Sequence, residues 1–392
     1  MKWLVTSCKL KAMSRKSKVA RLAISKQLQV TSILAAVTSL IATCNLRLAS
    51  KSFLLTACYL QLTTSSAQDI HFTQFFTQPI LLAPSATGNF QGNIRGGVNY
   101  KYQWPWATNQ QTFNYHSQNA FVDFALLEQK VKRGWLGIGL NFLNDAAGDG
   151  RLRYMRFGGS VAWHQAFDRE NRYVLSAGFQ ANYITKTVDF EKFYFNNQWV
   201  DDAGFDRSLP TLESPNTNTI NGFDMGFGLG FDARINDKVR LGTSFSMLHI
   251  NRPQDQFYGT SNNKLGHRYI ASVNASGTLN RKISYQTDAY FTFQKKAWEL
   301  VLGGMVGIKT NDPMRPESNS TFWIGSYFRV KDAWSPIVGY SYKQCRLLIN
   351  YDVLYSKLYQ VGRLNGGLEI SLVLSTGWKG RKQEQKWACP VF

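Results

Sequence analysis

"FDMGFGLGFD", residues 223–232, shows the clearest two-residue period in this chain. Large apolar residues alternate with Gly or Asp at every second position. Successive side chains of a β-strand point to opposite faces, so a strand here has one oily face and one small or polar face. The stretch is not a nucleotide-binding loop, because its glycines lie inside a strand with no helix N-terminus to hold a phosphate.

The same two-residue period recurs elsewhere, for example in residues 269–276, 285–293 and 368–375. A soluble β-sandwich would alternate in the same way. Here the segments are about ten residues long, which is the length that a tilted strand needs to cross a bilayer. A sheet can span lipid only when it closes on itself, because every backbone polar group must be paired internally. We therefore predict an all-β fold, namely a transmembrane antiparallel β-barrel of the outer-membrane type.

Aromatic residues support a membrane location. The chain contains 26 Phe, 18 Tyr and 11 Trp. Outer-membrane barrels carry girdles of aromatic residues where the wall meets the two membrane surfaces. The tryptophans near predicted strand ends, which we assign to such girdles, are Trp104, Trp106, Trp135, Trp163, Trp298, Trp323 and Trp334.

We predict about fourteen strands, an even number that lets the sheet close with both chain ends in the periplasm. Connections after even-numbered strands are mostly short, as at 167–171 and 280–282, whereas the long connections 188–221 and 249–266 follow odd-numbered strands. Short turns inside and long loops outside are typical of outer-membrane barrels. The connection 309–320 departs from this pattern, because it is long and falls on the periplasmic side. The predicted strands are 94–104, 114–126, 134–144, 153–166, 173–187, 222–233, 239–248, 267–279, 283–293, 298–308, 321–330, 334–342, 347–353 and 367–374.

Residues 1–67 have the character of a leader with a signal peptide. The leader holds 10 basic and no acidic residues, which is half of the net charge of +20, so targeting explains this charge better than nucleic-acid binding does. Its two apolar runs, 30–43 and 53–62, have signal-peptide length and are too short for a spanning helix. Small residues at positions 65 and 67 favour cleavage after Ala67.

Two alternatives stay open for the leader. The segment before Cys58 resembles a lipobox, and the true start could lie at Met13 or later. We expect four regions: the leader 1–67, a periplasmic N-terminal lead-in or plug 68–93, the barrel 94–376, and a basic C-terminal tail 377–392.

The chain carries paired motifs at the two ends of its mature part. The first is AQDIHFTQFFTQPILLAPSATG, residues 67–88, and the second comprises residues 351–353, 356–358 and 365–372. Shorter matches lie at residues 156–160, 296–300 and 338–340. Together they resemble the PorP/SprF family, outer-membrane proteins of type IX secretion and gliding in Bacteroidota. Thr73 stands where Ser is usual in the family, and residues 83–86 stand where Asn-Pro-Ala is usual.

The resemblance implies a 14-stranded barrel without a catalytic role. Family members work with periplasmic ring and motor components, and some help a surface adhesin or effector to reach and stay on the cell surface. Lipid of the outer membrane and these proteins are thus the expected partners, and nucleic acid is not. The lead-in would plug the lumen or dock a partner. Its candidate contact residues are Asp69, His71, Phe72, Gln74, Phe75 and Pro79.

Arginines near one predicted strand end could meet phosphates of the outer leaflet. They are Arg151, Arg153 and Arg156. Arginine suits bidentate contact with phosphate, although basic residues in a girdle need no such role.

We predict no catalytic residue, metal site or cofactor. The five histidines lie at no metal-ligand spacing with another His, Cys or acid. Ser160 and His164 share one strand face, but strand rise separates them by about 13 Å, too far for a Ser–His proton transfer. The loop segments 145–150 and 201–202 could bind Ca²⁺, but their acidic residues lack the spacing of an EF-hand, so we interpret them as polar turn residues. The rival to a secretion role is a passive porin or hydrophobic-solute channel.

Overall fold

The computed structural model describes residues 69–104, 115–127, 131–148, 150–168, 170–213, 215, 217–258, 263–310, 320–356 and 365–376. These residues all belong to one structural unit, Ser66–Phe392. The leader with its cleavage site, the tail 377–392, Trp106, Asp149 and most of the connection 309–320 lie outside them. Within the described part of the chain, no helix is long and apolar enough to cross a membrane.

The predicted antiparallel barrel of fourteen strands is confirmed, because the sheet closes through pairing of its first strand with its last. In that closing pair Val98 lies opposite Leu372. The strands are β1 Ile94–Gln103, β2 Tyr115–Leu126, β3 Gly134–Ala147, β4 Leu152–Ala166, β5 Tyr173–Thr187, β6 Trp199–Val200, β7 Gly204–Phe205, β8 Thr219–Asn236, β9 Val239–Leu248, β10 Arg268–Thr278, β11 Ile283–Gln294, β12 Ala297–Lys309, β13 Ser320–Arg329, β14 Ala333–Tyr342, β15 Cys345–Leu354 and β16 Asn365–Thr376. Their order around the barrel is β1-β16-β15-β14-β13-β12-β11-β10-β9-β8-β5-β4-β3-β2.

The largest departure from the predicted strands is at β8, and smaller ones occur at other strand ends, such as that of β3, which continues to Ala147. Strand β8 extends three residues beyond each predicted end, since its ladder with β5 continues to Thr219 opposite Thr187. The long connection between β5 and β8 contains a small hairpin of its own, in which Trp199 pairs with Phe205. Neither feature shows in the hydrophobic alternation, because backbone pairing continues where the side chains no longer alternate.

The quoted stretch 223–232 shows how the wall is built. Phe223, Phe227 and Phe231 face outward with 65%, 42% and 41% of their surface exposed. Between them, Asp224 and Gly228 face the lumen and are buried. The oily face therefore meets the membrane and the small, polar face lines the interior.

The barrel has two distinct ends. We call the end where β1 begins and β16 finishes the turn end, and the opposite end the loop end. The connections 188–218 and 249–267 lie at the loop end. Connections at the turn end include 237–238 and 343–344.

Residues 69–93, which we call the lumenal segment, run through the barrel interior. Two 3-10 turns, Phe75–Thr77 and Pro84–Ala86, flank a single α-helical turn, Pro79–Leu82. Pro79 and Pro84 each begin one of these turns, where a missing N–H costs least. Asp69 contacts Gln294, the last residue of β11, and so lies at the loop end.

The lumenal segment then descends to the turn end, where its last residues lead into β1. There the Gln91 carbonyl accepts a hydrogen bond from Ser375 of β16 at 2.5 Å. Asp69 and Thr376 thus lie at opposite ends of the barrel. The expectation that both ends of the mature chain share the periplasmic side needs correction for the first described residue, because the segment crosses the lumen before β1 begins.

The predicted tryptophan girdle is wrong at two positions. Trp135 and Trp323 face the lumen and are buried. The Trp135 indole N–H donates to the Gly88 carbonyl at 2.9 Å, and that of Trp323 to the Ser341 hydroxyl at 2.9 Å. Trp163, Trp298 and Trp334 do face outward. Proximity to a strand end does not by itself decide which face a residue occupies.

Candidate functional site

The lumenal segment is anchored at the loop end by Asp69. Its carboxylate lies 2.5 Å from Nε2 of His249, and Nδ1 of the same ring lies 2.8 Å from the buried carboxylate of Asp224 on β8. The Arg268 guanidinium lies 3.5 Å from Asp69. One imidazole thus joins the segment to the wall through two carboxylates.

The charges at this anchor support each other. Burial by itself would lower the pKa of His249, but Asp69 and Asp224 outweigh it and raise that pKa to about 9. Burial would likewise raise the pKa of Asp69, yet His249, Arg268 and Arg156 hold it below its ordinary value. Near neutral pH the imidazolium therefore bridges two carboxylates.

His71 behaves in the opposite way. Burial, with the positive charges of Arg329 and Lys101, keeps its pKa well below the ordinary value. The imidazole is neutral near pH 7, so its approach to Glu299 at 3.6 Å is not an ion pair. The Lys101 ammonium donates to the His71 carbonyl at 3.3 Å.

Backbone groups of the segment bind carboxylates of the wall. The N–H groups of Thr73 and Gln74 each donate at 2.9 Å to one oxygen of Glu369 on β16. The Thr73 hydroxyl donates to Asp352 at 2.9 Å, and Asp352 forms a buried ion pair with Arg329 at 2.7 Å. These contacts hold the segment at this position, because its backbone N–H groups would cost free energy if they were buried in the lumen without a partner.

Below this polar layer, Phe75 and Phe76 pack against inward-facing aromatic residues. The rings of Phe75 and Tyr290 lie 4.6 Å apart, and those of Phe76 and Tyr327 stack at 5.1 Å. The apolar cluster that they form includes Trp323 of β13. A barrel interior normally lined by polar residues thus has an apolar core on one side.

On the other side, glycines make room for Pro84. A Cβ on Gly178 of β5 would lie 2.4 Å from the Pro84 carbonyl group, and one on Gly228 of β8 would lie 3.0 Å from its ring. Gly178 therefore leaves room for the Pro84 backbone, and Gly228 of the quoted stretch leaves room for the Pro84 ring.

The turn end of the segment is held by a second polar cluster. The Thr87 carbonyl lies 2.8 Å from Nε2 of His164, whose Nδ1 lies 2.7 Å from the Ser176 hydroxyl. The Gly88 N–H donates to Asp123 at 2.7 Å, and Asp123 pairs with Arg95 at 2.7 Å. His164 thus joins Thr87 of the lumenal segment to Ser176 of β5, which is a structural role.

The structure brings the six predicted contact residues of the lead-in together, but inside the barrel. Phe72, Gln74 and Phe75 are buried against the wall, and Asp69, His71 and Pro79 are partly buried. A partner could reach them only if the segment left the lumen, and their binding of a partner stays a prediction.

The three arginines do not act as one group. Arg156 faces the lumen with 3% of its surface exposed, so the prediction that it meets lipid phosphate is wrong. It points inward because it alternates with the outward-facing Met155 and Phe157. Arg151 and Arg153 are exposed at the loop end, where phosphate contact stays a prediction.

Sequence reasoning missed most of the wall residues that hold the segment. Asp123, Asp352 and Glu369 each stand between apolar neighbours in a predicted strand. That position signals an inward-facing charge, but not the residue it pairs with. Among the residues that the structure describes, no group of three His, Cys, Asp or Glu is placed to hold a metal ion.

The comparison with protein families decides the identity of this lumen-filled barrel. A sequence profile of the type IX secretion system membrane protein PorP/SprF matches residues 64–374. The chain belongs to the PorP/SprF family. A comparison with curated proteins found no match. Membership agrees with an outer-membrane barrel, and it covers both the lumenal segment and the wall.

Several solved structures are similar to this PorP/SprF barrel at low identity. The toluene transporter TbuX of Ralstonia pickettii is 14% identical, with a TM-score of 0.46 over 79% of this chain and 94% of that chain. The CymD monoaromatic hydrocarbon channel is 10% identical, with a TM-score of 0.46 over 80% and 95% of the two chains. A FadL homologue of Pseudomonas aeruginosa is 11% identical, with a TM-score of 0.44 over 75% and 92%.

Proposed function

We propose that this chain is a non-enzymatic outer-membrane barrel of the type IX secretion machinery that works through protein–protein contacts. It helps a surface adhesin or effector to be secreted or anchored. The observation that carries the proposal is the lumenal segment, which crosses the interior and is bound at both ends. A barrel whose lumen is occupied by its own chain is suited to binding partners at its two faces.

The loop end is the proposed face for the secreted client. The connection 188–218 exposes Tyr194, Trp199 and Phe205, and the rings of Tyr194 and Trp199 lie 5.1 and 4.9 Å from that of Phe205. Aromatic side chains are enriched at protein interfaces because they offer a large apolar area at a low entropy cost. The turn end is the proposed face for the periplasmic ring and motor components.

The test is a comparison of the surface proteome of a clean deletion strain with that of its parent. Loss of one large surface protein would identify a client-specific anchor, and loss of every type IX client would identify a core component. An unchanged surface would contradict the proposal.

The alternative is a passive porin or hydrophobic-solute channel. The purified barrel should be silent in planar bilayers, whereas a variant that lacks residues 70–90 should conduct. Steady conductance by the intact chain, together with normal secretion by the deletion strain, would favour the porin. Silence in both barrels would contradict the claim that the lumenal segment closes the lumen.

A further inference from the structure

A cavity of about 330 Å³ lies at the turn end, between β9 and β15. Inward-facing residues of the strand ends form its wall. They include Arg240, Lys309, Thr321, Trp323, Ser341 and Arg346. The cavity adjoins the apolar contacts of the lumenal segment at Trp323, and the proposed function assigns it no role.

The cavity is strongly basic. Among the described residues that line it, five are cationic and one, Asp237, is acidic. Low-dielectric walls focus the field of such a cluster into the opening and raise the local concentration of anions. The five cationic residues, which together we call the basic vestibule, are Lys238, Arg240, Lys309, Lys343 and Arg346.

The floor of the basic vestibule is rigid. The Arg346 guanidinium lies 4.3 Å from the centre of the Trp323 ring. It donates to Gln286 at 3.0 Å and to the Ser341 hydroxyl at 3.2 Å, and Ser341 also accepts from Trp323. A guanidinium fixed in one plane binds a carboxylate with little further loss of entropy.

The inner side of the basic vestibule is apolar. Trp323 belongs to the apolar cluster that contains Phe75, Phe76 and Tyr327. The cationic residues lie nearer the turn end, in the turns and near the ends of the strands. An acidic ligand would therefore bind from the turn end.

We propose that the basic vestibule receives an acidic peptide segment of a periplasmic protein. The proposal rests on the proposed function, since that function needs a partner at this face. A volume of about 330 Å³ is at the lower limit for ligand sites, and suits a few side chains of a chain end or loop. Lipid is less suited, because Ile308, Phe322 and Tyr342 face the membrane on the outer side of the wall.

The test uses the full-length barrel in detergent and a fluorescein-labelled hexaglutamate peptide, with fluorescence anisotropy as the measurement. The variant K238Q/K309Q/K343Q removes three charges from the basic vestibule but leaves Arg346 in place. The matched control is K132Q/R281Q/K282Q, which removes three exposed charges at the same end but outside the cavity. Near-native melting temperatures of both variants show that they are folded.

We expect the first variant to weaken peptide binding about tenfold or more at low salt, and the control to change it less than about twofold. Equally weakened peptide binding in both variants would overturn the proposal, because it would show that the diffuse positive charge of this end attracts the peptide. Absence of peptide binding to the wild-type barrel would also overturn it. Full displacement of the peptide by inorganic phosphate at the same charge concentration would indicate a small-anion site. Binding of the barrel to vesicles that contain anionic lipid, without binding of the peptide, would indicate a membrane contact. Either result would overturn the proposal.

The two proposals fail separately. If the deletion strain loses its client while the triple variant binds peptide like wild type, the function stands and the basic vestibule has no role in it. If the triple variant loses peptide binding while the deletion strain keeps an unchanged surface, the site exists but the proposed function is wrong.

Discussion

Arg95 and Asp123 form a buried ion pair beneath the lumenal segment. Their side chains are 1% and 0% exposed, and the Arg95 guanidinium also donates to the Ala86 carbonyl at 3.0 Å. Two charges removed from water in this way depend on each other, because either one alone would be buried without compensation. The pair therefore binds the segment to β1 and β2 more firmly than a surface pair would.

Replacing Asp123 with Ala should destabilise the folded barrel by about 3–5 kcal/mol, since it leaves the Arg95 charge and the Gly88 N–H unpaired. Unfolding in urea, followed by tryptophan fluorescence, measures the change. The control is Glu170→Ala, which removes an ion pair with Arg172 that is largely exposed. We expect no measurable change in the stability of Glu170→Ala. Equal losses of stability in the two variants would contradict the claim that a buried ion pair stabilises the barrel more than an exposed one.

The Asp69–His249 anchor should make stability depend on pH. The pKa of His249 is raised from 6.5 to about 9, so its contribution to the free energy of unfolding is complete below pH 6.5 and is lost as pH rises through 9. The pKa of Asp69 is lowered from 3.8, so its contribution is present above pH 3.8 and is lost in stronger acid. The anchor should therefore stabilise the fold most between these limits.

The measurement is the free energy of unfolding of wild type and Asp69→Asn from pH 5 to pH 10. The difference in unfolding free energy between wild type and Asp69→Asn should be large at pH 5–6 and should decrease toward pH 10. Asp206→Asn is the control, because hydrogen bonds from Ser208 lower the pKa of that exposed carboxyl and no histidine lies beside it. A gap that does not change with pH would show that His249 is not the charged partner.

At the scale of elements, the fit between the lumenal segment and the wall depends on close backbone approach. A Cβ on Gly137 of β3 would lie 1.9 Å from the Thr87 carbonyl oxygen. A Cβ on Gly159 of β4 would meet nothing closer than 3.7 Å. Neighbouring strands thus contain one glycine that the segment requires and one that it does not.

Gly137→Ala should loosen the turn end of the segment and cost about 1–3 kcal/mol, because the backbone must move apart to admit the methyl group. The rate at which a protease cleaves residues 69–93 in the folded barrel reports the loosening. Gly159→Ala should be cleaved like wild type. Equal protection of both variants would mean that the segment adjusts without leaving its place.

At the scale of the whole molecule, the barrel has a fixed direction across the membrane. Long loops usually face the cell exterior in outer-membrane barrels, and short turns face the periplasm. In a background with Cys345→Ser and Cys389→Ser, Asp201→Cys at the loop end should react with an impermeant maleimide on intact cells. Lys282→Cys at the turn end should react only after lysis.

The reverse pattern of labelling would invert the assignment of both faces. The same experiment locates the start of the lumenal segment. An epitope inserted before Asp69 should be detected on intact cells, as Asp201→Cys is. Detection only after lysis would show that the segment enters the lumen by another route.

The class of fold, the number of strands and the family all follow from the amino-acid sequence alone. Alternation in stretches such as 223–232 is a local property, and every strand repeats it, so the pattern survives errors at individual positions. The motifs at residues 67–88 and 351–372 are likewise recognised from the sequence without knowledge of the tertiary structure. The inward face of each strand followed from the same period of two.

Only the tertiary structure decided what occupies that inward face. Asp69 meets His249 at a distance of 180 residues along the chain, and Thr73 meets Glu369 at 296. Trp135 faces inward by the alternation of its own strand, but its hydrogen bond to the Gly88 carbonyl depends on where the lumenal segment lies. Contacts of this kind arise when closure of the sheet brings distant strand faces around one segment, and no local pattern encodes which partners then meet.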